Sequence, residues 1–124
     1  MIVRNIDLNK KIELLNDNNE VMYWLIYDFA YKRRMRIFDS LDNEVAYVNL
    51  KIESLNNDIA LYDKEDQLIS VYDKGNVIIN EDGYTIKDLM NINKKDNCYE
   101  LEVLDEDNVL TSIMYLLVIF DNNL

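Results

Sequence analysis

The densest group of chemically capable side chains is Tyr31-Lys32-Arg33-Arg34-Met35-Arg36. It holds four of the chain's 13 basic residues, against 24 Asp and Glu and a net charge of −11. On a strand, Lys32, Arg34 and Arg36 share one face and Arg33 and Met35 the other, because side chains alternate. Three cations roughly 7 Å apart form a ledge suited to phosphate or carboxylate groups, which arginine can hold two oxygens at a time. The competing use of the same residues is pairing with acidic groups on neighbouring strands, a common way to stabilise a sheet.

Other chemistry finds little support. There is no histidine, so mechanisms that need imidazole are absent. Two glycines, Gly75 and Gly83, cannot build a phosphate-cradling loop. Cys98 is the single cysteine; it has no partner ligands for zinc and no neighbouring base to activate it. Glu100 and Glu102 could perform acid–base chemistry, but their spacing on a strand reads as a solvated face. No Asp run fits the calcium-loop pattern. The expectation is a protein that is not an enzyme and needs no metal and no cofactor.

The acidic balance repels nucleic-acid phosphates and favours basic partners. One cysteine points to a reducing compartment. MIVRNIDLNKK contains no apolar run of signal-peptide length and no stretch is long enough to span a bilayer. A soluble, cytoplasmic protein is expected.

The element that must organise the rest is Val109–Phe120, VLTSIMYLLVIF. As a helix it spans about 18 Å, short of a ~30 Å bilayer core, and a helix apolar on nearly every side belongs inside a protein. Asp105, Glu106 and Asp107 suit its positive end, with Asp107 or Asn108 as N-cap and Asn122 able to close its far end. A long buried strand is the alternative, because periodicity cannot separate the two when every position is apolar.

The preceding chain reads as one domain, a β-meander. Residues 1–20 form an N-terminal extension, either a short helix on Leu8, Ile12 and Leu15 with Asp7 as its cap, or a strand over Ile2 to Leu8, ended by Asn16-Asp17-Asn18-Asn19. Residues 21–124 form the main body, with a central helix at 108–120. Val21–Tyr27 is apolar on both faces, as in a strand covered on both sides. Turns at Ser40-Leu41-Asp42-Asn43, Lys64-Glu65-Asp66-Gln67 and Glu81-Asp82-Gly83 separate strand pairs, and the first places Met35, Ile37, Ala46, Val48 and Leu50 on one face. Lys87 to Asn97 reads as a polar connection containing a single helical turn, and Tyr99, Leu101 and Val103 alternate with Glu100 and Glu102.

A repeat runs through these turns: an apolar or aromatic pair, then Asp, then a short polar stretch. It occurs at Phe38-Asp39, Tyr62-Asp63, Tyr72-Asp73 and Leu104-Asp105. Asp in that position bonds backbone amides two residues on, so the repeat explains itself as hairpin chemistry rather than as metal sites.

Tyr23-Trp24-Leu25-Ile26 before Arg33–Asp39, then Leu61-Tyr62-Asp63, and above all Tyr99–Asp105 running into the apolar helix, resemble the LURP-one-related family of the Tubby-like fold. The resemblance implies a mainly β (α+β) protein, an antiparallel meander forming a partial or complete barrel around a C-terminal hydrophobic helix. Eight fair strand candidates and a ninth in residues 1–20 are fewer than such members have. Encircling a helix takes about eleven. The side of the helix near Thr111, Ser112 and Tyr115 is therefore expected to be open and covered by a second copy in a homodimer. Two functions follow: a small binding module for an anionic ligand or lipid head group at Lys32, Arg34 and Arg36, or an acidic inhibitor or immunity-type protein that binds a basic partner.

Overall fold

The computed structural model describes residues 2–4, 11–28, 34–49, 59–73, 75–79, 82–95 and 99–122. These contain eleven strands: β1 (Ile2–Arg4), β2 (Ile12–Leu15), β3 (Val21–Asp28), β4 (Arg34–Asp39), β5 (Glu44–Asn49), β6 (Ile59–Asp63), β7 (Leu68–Asp73), β8 (Asn76–Ile79), β9 (Asp82–Tyr84), β10 (Met90–Lys94) and β11 (Tyr99–Val103). A single helical turn, α1 (Ile86–Leu89), separates β9 from β10, and a 3-10 turn at Glu106–Asn108 leads into α2 (Val109–Asn122). All strands belong to one antiparallel sheet in the order β10-β11-β1-β2-β3-β4-β5-β6-β7-β8-β9. Its edges, β9 and β10, do not pair, so the sheet is not closed into a barrel.

Alternation decides which side faces the core. Met35, Ile37, Ala46 and Val48 are fully buried on one face, as their spacing requires, and they join Val3, Leu14, Leu25, Leu61, Val77 and Leu101 in one cluster with Ile113, Met114, Leu116 and Leu117. Leu50, expected on the same face, lies outside the described residues. Thr111, Ser112, Ile113 and Met114 are all 0% exposed. Four successive residues at about 100° each sweep most of a helical turn, so the sheet curls around α2. Ser70 on β7 meets Thr111 in a buried hydroxyl–hydroxyl hydrogen bond of 3.0 Å. No described helix is long and apolar enough to cross a membrane.

Several expectations need correction. Ile12–Leu15 is a strand, not a helix; Asp7 and Leu8 lie outside the described residues. A register shift between Leu14 and Leu15 leaves both buried, and that irregularity imitates helical spacing. From the stretch expected as an N-terminal extension, β1 and β2 belong to the main sheet, with β1 between β11 and β2. β3 is covered on one face only, with Met22 and Ile26 each 41% exposed on the other. Asp82 and Gly83, expected in the third turn, belong to β9, and Glu81 lies outside the described residues. β10 falls in the stretch read as a polar connection.

Eleven strands rather than nine remove the reason for an open helix side. Thr111 and Ser112 are buried by their own chain and Tyr115 is half-buried, so the homodimer expected there has lost its motivation. The helix begins at Val109 and runs through Asn122, so its C-cap falls outside the described residues. Asp105, not Asp107 or Asn108, caps its lead-in turn: Asp107 N donates to Asp105 Oδ1 at 3.2 Å.

Candidate functional site: an acidic end and an aromatic outer face

Of the basic ledge, Lys32 lies outside the described residues, while Arg34 and Arg36 stand on the outer face of β4 with Met35 in the core between them. Arg36 Nη2 pairs with Glu44 Oε2 across β4 and β5 at 2.8 Å. Its guanidinium lies 5.1 Å from the Phe38 ring centre, and that of Arg34 lies 4.9 Å from the Tyr47 ring. Phe38 stacks on Trp24 at 4.1 Å, and Lys11 Nζ sits 4.5 Å from the Trp24 ring. Tyr47 in turn stacks on Tyr62 at 5.3 Å. Both described arginines thus serve the sheet itself, through cation–π contact and cross-strand pairing.

The Asp repeat has a consistent geometry. Asp39 Oδ1 accepts from Leu41 N and Asn43 N, and Asp63 Oδ1 accepts from Glu65 N and Gln67 N. Asn16 Oδ1 does the same for Asn18 N and Glu20 N. In each hairpin the residue three positions on has positive φ: Asn19 62°, Asp42 64°, Asp66 64°. This is a type I turn followed by a left-handed residue, a standard hairpin closure. In two hairpins that left-handed aspartate also reaches an aromatic on the preceding strand. Trp24 Nε1 donates to Asp42 Oδ1 at 2.7 Å, and the Tyr47 hydroxyl to Asp66 Oδ1 at 2.6 Å. Burial and then the Asp66 bond push the Tyr47 hydroxyl up to about 12. At Asp105 the same motif opens the helix instead of a hairpin, and the Asp73 copy encloses a tighter loop with Gly75 at φ 91°.

Antiparallel alternation brings these turns together. The connections β2–β3, β4–β5 and β6–β7 share one end of the curled sheet, and β11, running antiparallel to β1, delivers the start of α2 to the same end. Residues 16–20, 39–43, 63–67 and 105–108 carry ten carboxylates and one lysine, Lys64. Two cavities open there. One of about 550 Å³ is lined by Asn16, Asp17, Met22, Tyr23, Glu100, Leu101, Glu102, Val103, Glu106 and Val109. The other, of about 390 Å³, lies between Tyr23, Asp39, Val45, Ile69 and the segment Asp107–Thr111. Tyr23 and Val109 line both. The Tyr23 hydroxyl titrates above its ordinary value, first because it is buried and then because Asp39 and Glu106 oppose a further negative charge.

Glu100 and Glu102 do face solvent, as their spacing implied, but they also border the larger cavity. The acidic end itself escaped sequence reading, although one signal was present: the turns of the same parity are the acidic ones. Among the described residues no group of three or more Asp, Glu, Cys or His could hold a metal ion; Cys98 lies outside them. No family model, curated protein or solved structure matches the chain.

Proposed function

We propose that this chain is a non-catalytic interaction module whose carboxylate-rich end binds a basic protein, in the manner of an inhibitor or immunity-type partner. The observation that carries the reading is the convergence of four acidic connections on the end where both cavities open. A field of one sign focused on one end steers an oppositely charged partner and speeds its encounter. The antiparallel meander and buried C-terminal helix also support assignment to a Tubby/LURP-one-like arrangement in a shortened form, and the lone cysteine supports a cytoplasmic setting.

The test compares two triple variants with the same change in net charge. Neutralising Asp17, Glu65 and Glu106 to the amides should weaken capture of poly-L-lysine and make its salt dependence shallower. Neutralising Glu13 together with Asp28 and Asp73, the last residues of β3 and β7 at the opposite end of the sheet, should do much less. Equal losses from both would reduce the end to a contributor of bulk charge and reject the reading.

A second reading keeps Lys32, Arg34 and Arg36 as a site for an anionic ligand or lipid head group. The outward placement of Arg34 and Arg36 on one face favours it; the Glu44 pairing weighs against it. Exchanging Lys32, Arg34 and Arg36 for Glu should remove binding to anionic liposomes at low salt. An absence of binding by the parent protein would dispose of the lipid version.

A further inference from the structure

The larger cavity lies where β11 runs on past its pairing with β1. β1 is three residues long and pairs with β11 at Tyr99 and Glu100. The strand order then continues to β2 and β3, whose turn and first residues stand across the gap from Leu101–Val103. The result is a groove with an apolar floor, Leu101, Val103 and Val109, and carboxylates at its rim, Asp17, Glu102 and Glu106. Its volume of about 550 Å³ falls within the roughly 300–1,000 Å³ typical of sites that enclose a ligand.

We infer that this groove receives the side chain of a single lysine or arginine presented by the basic protein partner. The inference rests on the interaction-module reading and adds to it the chemical form of the contact. A purely apolar occupant would leave the rim carboxylates beside uncharged groups, and a compact metal ion would leave the floor unused. No described group of three carboxylates converges closely enough to chelate one. A long basic side chain satisfies both parts, because its aliphatic stem lies on apolar surface while its charged head reaches outward. Tyr23 adds an aromatic wall for the stem, and the negative field felt by its hydroxyl welcomes a cation at the same place.

The test is an amide-resolved NMR titration at constant ionic strength, using N-acetyl-lysine methylamide, tetramethylammonium and spermidine as probes. The lysine probe should give saturable shifts at Tyr23, Leu101, Val103 and Val109, and tetramethylammonium, which has no stem, should give none. Val103→Phe fills the floor without changing charge and should weaken the lysine probe at least fivefold, with poly-L-lysine capture retained. Glu102→Gln with Glu106→Gln, both at exposed positions, provides a second variant with the same expected loss should the Phe disturb packing. Equal shifts from tetramethylammonium would overturn the inference in favour of an ionic atmosphere. Tighter saturation by spermidine than by the lysine probe would overturn it in favour of a free polyamine site. Failure of the parent protein to capture poly-L-lysine, with the lysine-probe shifts intact, would strike the interaction-module reading instead.

Discussion

Thr111 and Ser112 are neighbours on α2, both fully buried, yet they place opposite demands on the core. Thr111 shares its hydrogen bond with Ser70, whereas Ser112 Oγ has no hydrogen-bond partner among the described atoms. Thr111→Val should therefore cost about 1–3 kcal/mol, because it leaves the buried Ser70 hydroxyl only the Met114 sulfur, a weak acceptor at 3.9 Å. Ser112→Ala should be neutral or stabilising by up to about 1 kcal/mol, since it removes a desolvated group without breaking a bond. Chemical denaturation of the two variants separates these outcomes; a larger loss at Ser112 would mean its hydroxyl is satisfied. Tyr47 makes a pH prediction. Its folded-state pKa of about 12 stands above the ordinary 10.0, so the folded state resists forming phenolate. That contribution is complete below pH 10 and is lost as pH rises through 12. Tyr47→Phe should flatten the alkaline decline of stability over that interval, measured by denaturation at successive pH values. An unchanged slope would place the strain elsewhere.

Among the elements, α2 is the one whose loss the fold cannot absorb. Leu117 is fully buried, and Leu117→Ala should cost about 2–5 kcal/mol by equilibrium denaturation. A cost under 1 kcal/mol would mean that the helix is only loosely seated. This element was legible in sequence because an uncharged run of that length, with carboxylates before it, fits a buried helix. The hairpins at Asp39 and Asp63 were legible for a different reason: their side chains carry the turn chemistry locally. β2 was not legible, because the register shift beside Leu15 breaks the two-residue alternation that identifies a strand. β10 was hidden by composition. Asn-rich Met90–Lys94 has only Met90 and Ile92 to mark its inner face, and its place depends on pairing with β11. The acidic groove was the least legible feature, because Asp17, Glu102 and Glu106 meet only after the meander has folded.

On the scale of the molecule, the excess negative charge crowds the same end as the start of α2. Carboxylates there favour the helix dipole but repel one another. Screening should relieve the repulsion: raising ionic strength from about 0.01 M to 0.15 M shortens the Debye length from about 30 Å to 8 Å. The thermal midpoint should accordingly rise with sodium chloride over this range. A fall would show that cross-strand pairs such as Arg36–Glu44 outweigh the crowding.

The unpaired edges carry a consequence for how the molecule comes into being. Ten successive pairings, every one antiparallel, make β9 and β10 run in the same direction. An odd number of strands cannot close on itself through an antiparallel ladder, and among the described residues no ladder joins β9 to β10. Since α2 follows all eleven strands in chain order, a ribosome delivers the trough before the piece that fills it. Until that late-arriving helix docks, the nascent trough must hold its greasy lining out of aggregation.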